Sequence, residues 1–113
     1  MAGPHDVPTA AQLVESVREW IESQVPQAAP ALAFHARVAA NVLAMVEREL
    51  ALGAEQASAH GRRLAQLGAS DDADLAARIR AGDYDDRLAE VRRLVRESVR
   101  DKLLVANPKY LDS

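Results

Sequence analysis

The chain has no cysteine, which excludes disulfides, thiol nucleophiles and Cys-ligated metals. Aromatic residues make up only 4% of its 113 residues, so any core has to be assembled from Ala, Leu and Val. That mix favours close helix packing over sheets, whose strands draw on β-branched and aromatic residues. No segment approaches the roughly 18 to 20 apolar residues of a membrane span. The opening "MAGPHDVPTAAQ" has no basic stretch followed by an apolar run, so neither a signal peptide nor a membrane partner is expected. The expected setting is a bacterial cytoplasm. A net charge of -3 lacks the positive field that non-specific nucleic-acid binding needs, so no nucleic-acid partner is expected. GxGxxG, GxxxxGK, GxSxG and HExxH are all missing, so the sequence offers no familiar catalytic motif, metal site or cofactor site.

Helical signals run through nearly the whole chain, and the expectation is all-α, a single-domain bundle of about five helices with a long central second helix. Residues 1–8 read as a flexible tail, 9–107 as the helical domain and 108–113 as a C-terminal tail. Thr9 and Gln12 have the spacing of a capping box at the first helix, and Leu13, Val14, Val17, Trp20, Ile21 and Val25 follow as its stripe. Pro26 and Pro30 are expected to end it. The second helix is expected over residues 31–52, with Gly53 as its stop. A third is expected over 54–67, closed by Gly68, and a fourth from Ser70-Asp71-Asp72 to Gly82. The fifth is expected over 85–106, with Leu88, Val91, Val95, Val99, Leu103 and Ala106 as its apolar stripe.

The second helix carries an unusual set of polar residues. Successive residues about 100° apart put Phe34, Val38, Ala39, Val42, Met45, Val46 and Leu50 on one half of its cylinder. Ala36, Ala40, Ala44 and Ala51 take the other half, with Arg37, Asn41, Glu47 and Arg48. His35 falls in the middle of the apolar half, and Glu49 lies near it. One reading makes these groups internal glue that satisfies itself inside an alanine-rich bundle. The other makes His35, Arg37, Asn41, Arg48 and Glu49 a binding or catalytic site, because Arg offers a planar fork for a carboxylate or phosphate. His35 and Glu49 are 14 residues apart, roughly 21 Å along a helix, and cannot form one site within it. They meet in a homodimer whose second helices cross antiparallel near Val42, where residue 35 of one copy faces residue 49 of the other.

Arg92, Arg96 and Arg100 recur at four-residue intervals on the fifth helix, with Arg93 alongside. Glu90, Glu97 and Asp101 line the adjacent edge, so an internally paired, solvated face is expected there, with Arg93 set to pair with Glu97.

"FHARVAANVLAMVEREL", preceded by "PTAAQLVESVREWIE" and followed by "VANPKYL", resembles an uncharacterised bacterial family of unknown function over residues 8–111. Its motif positions are His35, Arg37, Asn41, Glu47, Arg48 and Glu49. Members of such a family occur beside, or fused to, aminoglycoside-phosphotransferase-like kinases, often near acyl-CoA dehydrogenase genes. The resemblance therefore implies an accessory role alongside such a kinase in acyl-CoA or lipid metabolism, and it carries no catalytic residues. The alternatives are a small-ligand or catalytic pocket built on His35, Arg37, Asn41 and Glu49, and self-association through the first and fifth helices.

Overall fold

The structure is a computed structural model that describes residues 8–112. The expected tail over residues 1–8 therefore lies almost wholly outside the described residues, His5 included. The protein is all-α, with three long helices and one short one among the described residues: α1 (Ala10–Ala28), α2 (Ala33–Leu67), α3 (Asp72–Arg80) and α4 (Leu88–Ala106). Short 3-10 turns, Pro30–Leu32 and Pro108–Asp112, follow α1 and α4. The chain forms two compact units, one ending at Leu52 and the other beginning at Gly53.

In the first unit, α1 starts as its sequence dictates. The Thr9 hydroxyl accepts from the Gln12 amide at 3.1 Å, and the Gln12 side chain accepts from the Thr9 amide at 2.8 Å. Pro26 does not end the helix; it sits inside the last turn, and α1 continues to Ala28. Near a C-terminus, losing one N–H costs only the last hydrogen bonds of the ladder. Arg18 ties α1 to α2 by a two-pronged contact with Glu47, its Nη2 lying 3.2 Å from Oε1, while its Nη1 holds Glu22 at 2.5 Å. These carboxylates push the guanidinium pKa further up, Glu47 contributing most. Glu47 shares its helical face with Ala36 and Ala40, the two buried residues of this half of α2, so the alanine face is the one turned towards α1. α1 itself contains no buried residue.

The second unit holds the contiguous core: Leu64, Leu67, Ala69, Leu75, Tyr84, Val91 and Leu94. Two glycine caps shape it. At Gly68 (φ 73°), the Gly68 amide donates to Ala65 O and the Ala69 amide to Leu64 O, which closes the last turn of α2. Gly82 (φ 85°) repeats the pattern on α3, with donors at Gly82 and Asp83 reaching Ile79 O and Arg78 O. Asp71 caps the start of α3 by accepting from the Asp74 amide at 2.7 Å. The Asp74 carboxyl is held below its ordinary pKa, first by the Ser70 backbone N–H and then by Arg78. The Tyr84 hydroxyl donates to Leu67 O at 2.7 Å, so the only well-buried aromatic among the described residues also satisfies a carbonyl at the end of α2.

Three expectations need correction. The second and third helices are one continuous α2, and Gly53 is not its stop, because only Gly68 and Gly82 take positive φ among the described residues. Gly inside a helix costs about 1 kcal/mol, too little to end a run of strong helix formers such as Ala54, Glu55, Gln56 and Ala57. The last helix begins at Leu88, after a turn in which Asp85 and Arg87 amides donate to Gly82 O and Tyr84 O. Its buried stripe is Val91, Leu94 and Val105, whereas Leu88, Val95 and Val99 are exposed.

Candidate functional site

His35, Arg37, Asn41 and Glu49 are exposed and Arg48 is half-buried, and among the described residues no polar or charged residue is fully buried. The internal-glue reading holds for Glu47, which bridges to Arg18, and not for the exposed His35 and Glu49, which a reversal of faces leaves outside. The alanine face packs inwards, which leaves the apolar half outside: Phe34 is 64% exposed and Val42 53%. His35 lies on that outer face with its ring edge-on to Phe34, the centroids 5.7 Å apart. Small residues allow α1 to come close, and the larger aliphatic side chains are then directed away from it.

A different constellation exists in the second unit, at a residue given no role by sequence pattern alone. His60 on α2 bridges two other helices: its Nε2 lies 2.6 Å from Asp72 Oδ1 on α3, and its Nδ1 lies 2.7 Å from Ser98 Oγ on α4. With a neutral ring the network closes consistently, Nε2–H donating to the carboxylate and the Ser98 hydroxyl donating to Nδ1. Ser98 Oγ also accepts from Arg63 Nη1 at 3.0 Å. Arg63 is held in turn by Asp101 at 3.0 Å and Glu97 at 3.3 Å.

His60, Arg63, Asp72 and Ser98 rim a cleft of about 150 Å3. Leu64, Leu67, Leu75 and Leu94 form its floor, and Lys102 stands at its edge with no ion pair among the described residues. A space of this volume holds a molecule of a few carbon atoms; an apolar cavity of about that size accepts benzene. His35, Arg37, Asn41, Arg48 and Glu49 do not line it.

The order Ser–His–Asp is that of an activated nucleophile. The remainder of such a site is absent among the described residues. Ser98 lies within α4, where backbone N–H groups are engaged in the helix and cannot cradle an oxyanion. The arrangement can clamp α2, α3 and α4 together, and it can orient a small ligand by hydrogen bonds at the mouth of an apolar cleft. No signal in the sequence singles out this site, because the pairing of positions 60, 72 and 98 depends on how three helices pack. The nearest hint is the matched spacing of His60 with Arg63 and of Ser98 with Asp101, each three residues apart on one helical face. The expected pair of Arg93 and Glu97 does form, at 3.4 Å.

These features define an all-α protein with a self-contained helical core in one unit and an unburied apolar helix pair in the other. The family model for a domain of unknown function, DUF6285, matches residues 26–110, and the chain belongs to that family. Neither the curated proteins nor the solved structures contain a match to it. Among the described residues no helix is long and apolar enough to cross a membrane.

Proposed function

We propose that this is a bacterial, cytoplasmic, non-catalytic accessory protein whose first unit docks a protein partner. The observation that carries the reading is the lack of a core in that unit. Only Ala36 and Ala40 are buried there among the described residues, while Leu13, Val17 and Trp20 on α1 are each at least half exposed. An apolar stripe of that kind on a helix marks an interaction surface, and Trp is enriched among the anchors of such surfaces. The partner proposed is an aminoglycoside-phosphotransferase-like kinase acting in acyl-CoA or lipid metabolism, on the resemblance carried by the α1 and α2 motifs. Co-expression with that kinase and capture of a tagged copy tests it. A stoichiometric complex is expected for the wild type, and Trp20→Glu is expected to lose it while unfolding as the wild type does, because the side chain is 59% exposed. Isolation of the chain alone, or a complex indifferent to Trp20→Glu, contradicts the reading.

The His60 cleft favours a second reading, a pocket for a small, mainly apolar molecule with one anionic group. Its floor is leucine, and Lys102 offers a donor at the rim, on the same cleft as His60. Titrating the protein with hexanoate while following amide resonances is expected to shift signals around His60, Ser98 and Lys102, and His60→Ala is expected to weaken the effect. Unmoved resonances at millimolar hexanoate contradict it.

A further inference from the structure

We propose that the outer face of the first half of α2 is the contact surface for a second copy of this chain, packed antiparallel about a two-fold axis at Val42. The inference rests on the reading of the first unit as an interaction module and names the occupant of one of its faces; the stripe on α1 stays available for the partner.

The face is unpartnered and apolar: Phe34, Val38, Val42, Met45, Val46 and Leu50 are all between 38% and 64% exposed. Its order along the helix is self-complementary. A two-fold axis at Val42 pairs each position with the one equally distant on the other side. Val42 then meets Val42, Val38 meets Val46, and Phe34 meets Leu50. Met45, the longest flexible side chain of the set, falls opposite Ala39, one of the smallest. The two ionisable residues on the same face, His35 and Glu49, fall opposite each other, so the dimer holds two complementary contacts related by the axis. A register slipped by one turn, with the axis at Val46, brings Glu49 opposite Leu43 instead, which desolvates a carboxylate without a charged partner. Charge thus selects the register, and the aliphatic residues supply the contact.

The span from Phe34 to Leu50 is 16 steps long, about 24 Å of helix. One helix face of that length buries less than the roughly 800 Å² per partner of a standard stable interface, so the dimer is of modest affinity, with a dissociation constant on the order of micromolar.

Sedimentation of the full chain over a range from about 1 to 300 µM tests the proposal. The expected mass rises from 12.2 kDa towards twice that value. His35→Glu places two carboxylates opposite one another, Glu49→Lys removes the acceptor that faces the imidazole, and each is expected to weaken the dimer at least tenfold. Combining the two substitutions in one chain puts an acid and a base opposite each other again, with their places exchanged, and is expected to restore the dimer. Val42→Cys provides a second readout: the chain has no other cysteine, so the variant is expected to form a covalent dimer on mild oxidation, whereas Glu19→Cys, on exposed α1, is not. A monomer at all concentrations overturns the proposal, as does a dimer whose affinity ignores positions 35 and 49. Either result leaves kinase capture and its dependence on Trp20 unaffected, so the two readings fail separately.

Discussion

Tyr84 joins packing and hydrogen bonding in the core of the second unit. It is 3% exposed, packs with Leu67, Leu75 and Leu94, and gives its hydroxyl proton to Leu67 O, a carbonyl that the end of α2 leaves without a helical partner. Tyr84→Phe keeps the ring and strands that acceptor, so a loss of about 1 to 2 kcal/mol is expected in urea unfolding. An unchanged midpoint would mean that the hydroxyl carries no stabilising role. Nothing in the sequence around Tyr84 announces this, because its partner is 17 residues away and on another element. His60 is a similar case: its partners Asp72 and Ser98 come from two different helices. Arg93 with Glu97, by contrast, is readable at once, since partners one turn apart need no tertiary knowledge. The sequence places His35, Arg37, Asn41, Arg48 and Glu49 on the correct helix, yet their surroundings are not legible in it. A pattern with apolar residues on one half and alanines on the other does not say which half faces inwards.

At the scale of the element, local chemistry is a good guide wherever it is strong. The Thr9–Gln12 box, the Asp71 cap and the stops at Gly68 and Gly82 all appear where spacing puts them. Glycine fails as a signal at Gly53, where the same residue type lies inside a helix. The contrast between glycines gives a paired test. Gly61 lies within α2 with nothing within 4 Å of where a Cβ would stand, so Gly61→Ala is expected to stabilise by about 0.5 to 1 kcal/mol. Gly68 sits at φ 73°, where a side chain is strained, and Gly68→Ala is expected to destabilise by about 1 kcal/mol. Thermal melts of the two variants read the opposite signs directly, and equal signs would contradict the caps described above. In α4, too, the face that meets the core is not the expected one: Leu94 is buried and Val95 is exposed.

On the scale of the whole molecule, the division between a unit with a core and a unit without one decides the functional reading. All-α class and family membership follow from the chain itself. The imbalance between the units does not, because composition is shared along the chain and only packing reveals which apolar residues stay outside. A unit held by Ala36, Ala40 and the Arg18–Glu47 contact has few buried contacts to resist opening, while the second unit is anchored by Leu64, Leu67, Tyr84 and Leu94. Hydrogen exchange on the full chain, alone at low micromolar concentration and then with the kinase-like protein, is therefore the deciding measurement. Amides of residues 10–52 are expected to exchange fast in the free chain and to gain protection in the complex, with residues 53–112 protected alike in both. Protection gained only in residues 53–112, or none in 10–52, would contradict the assignment of the first unit as the interaction module.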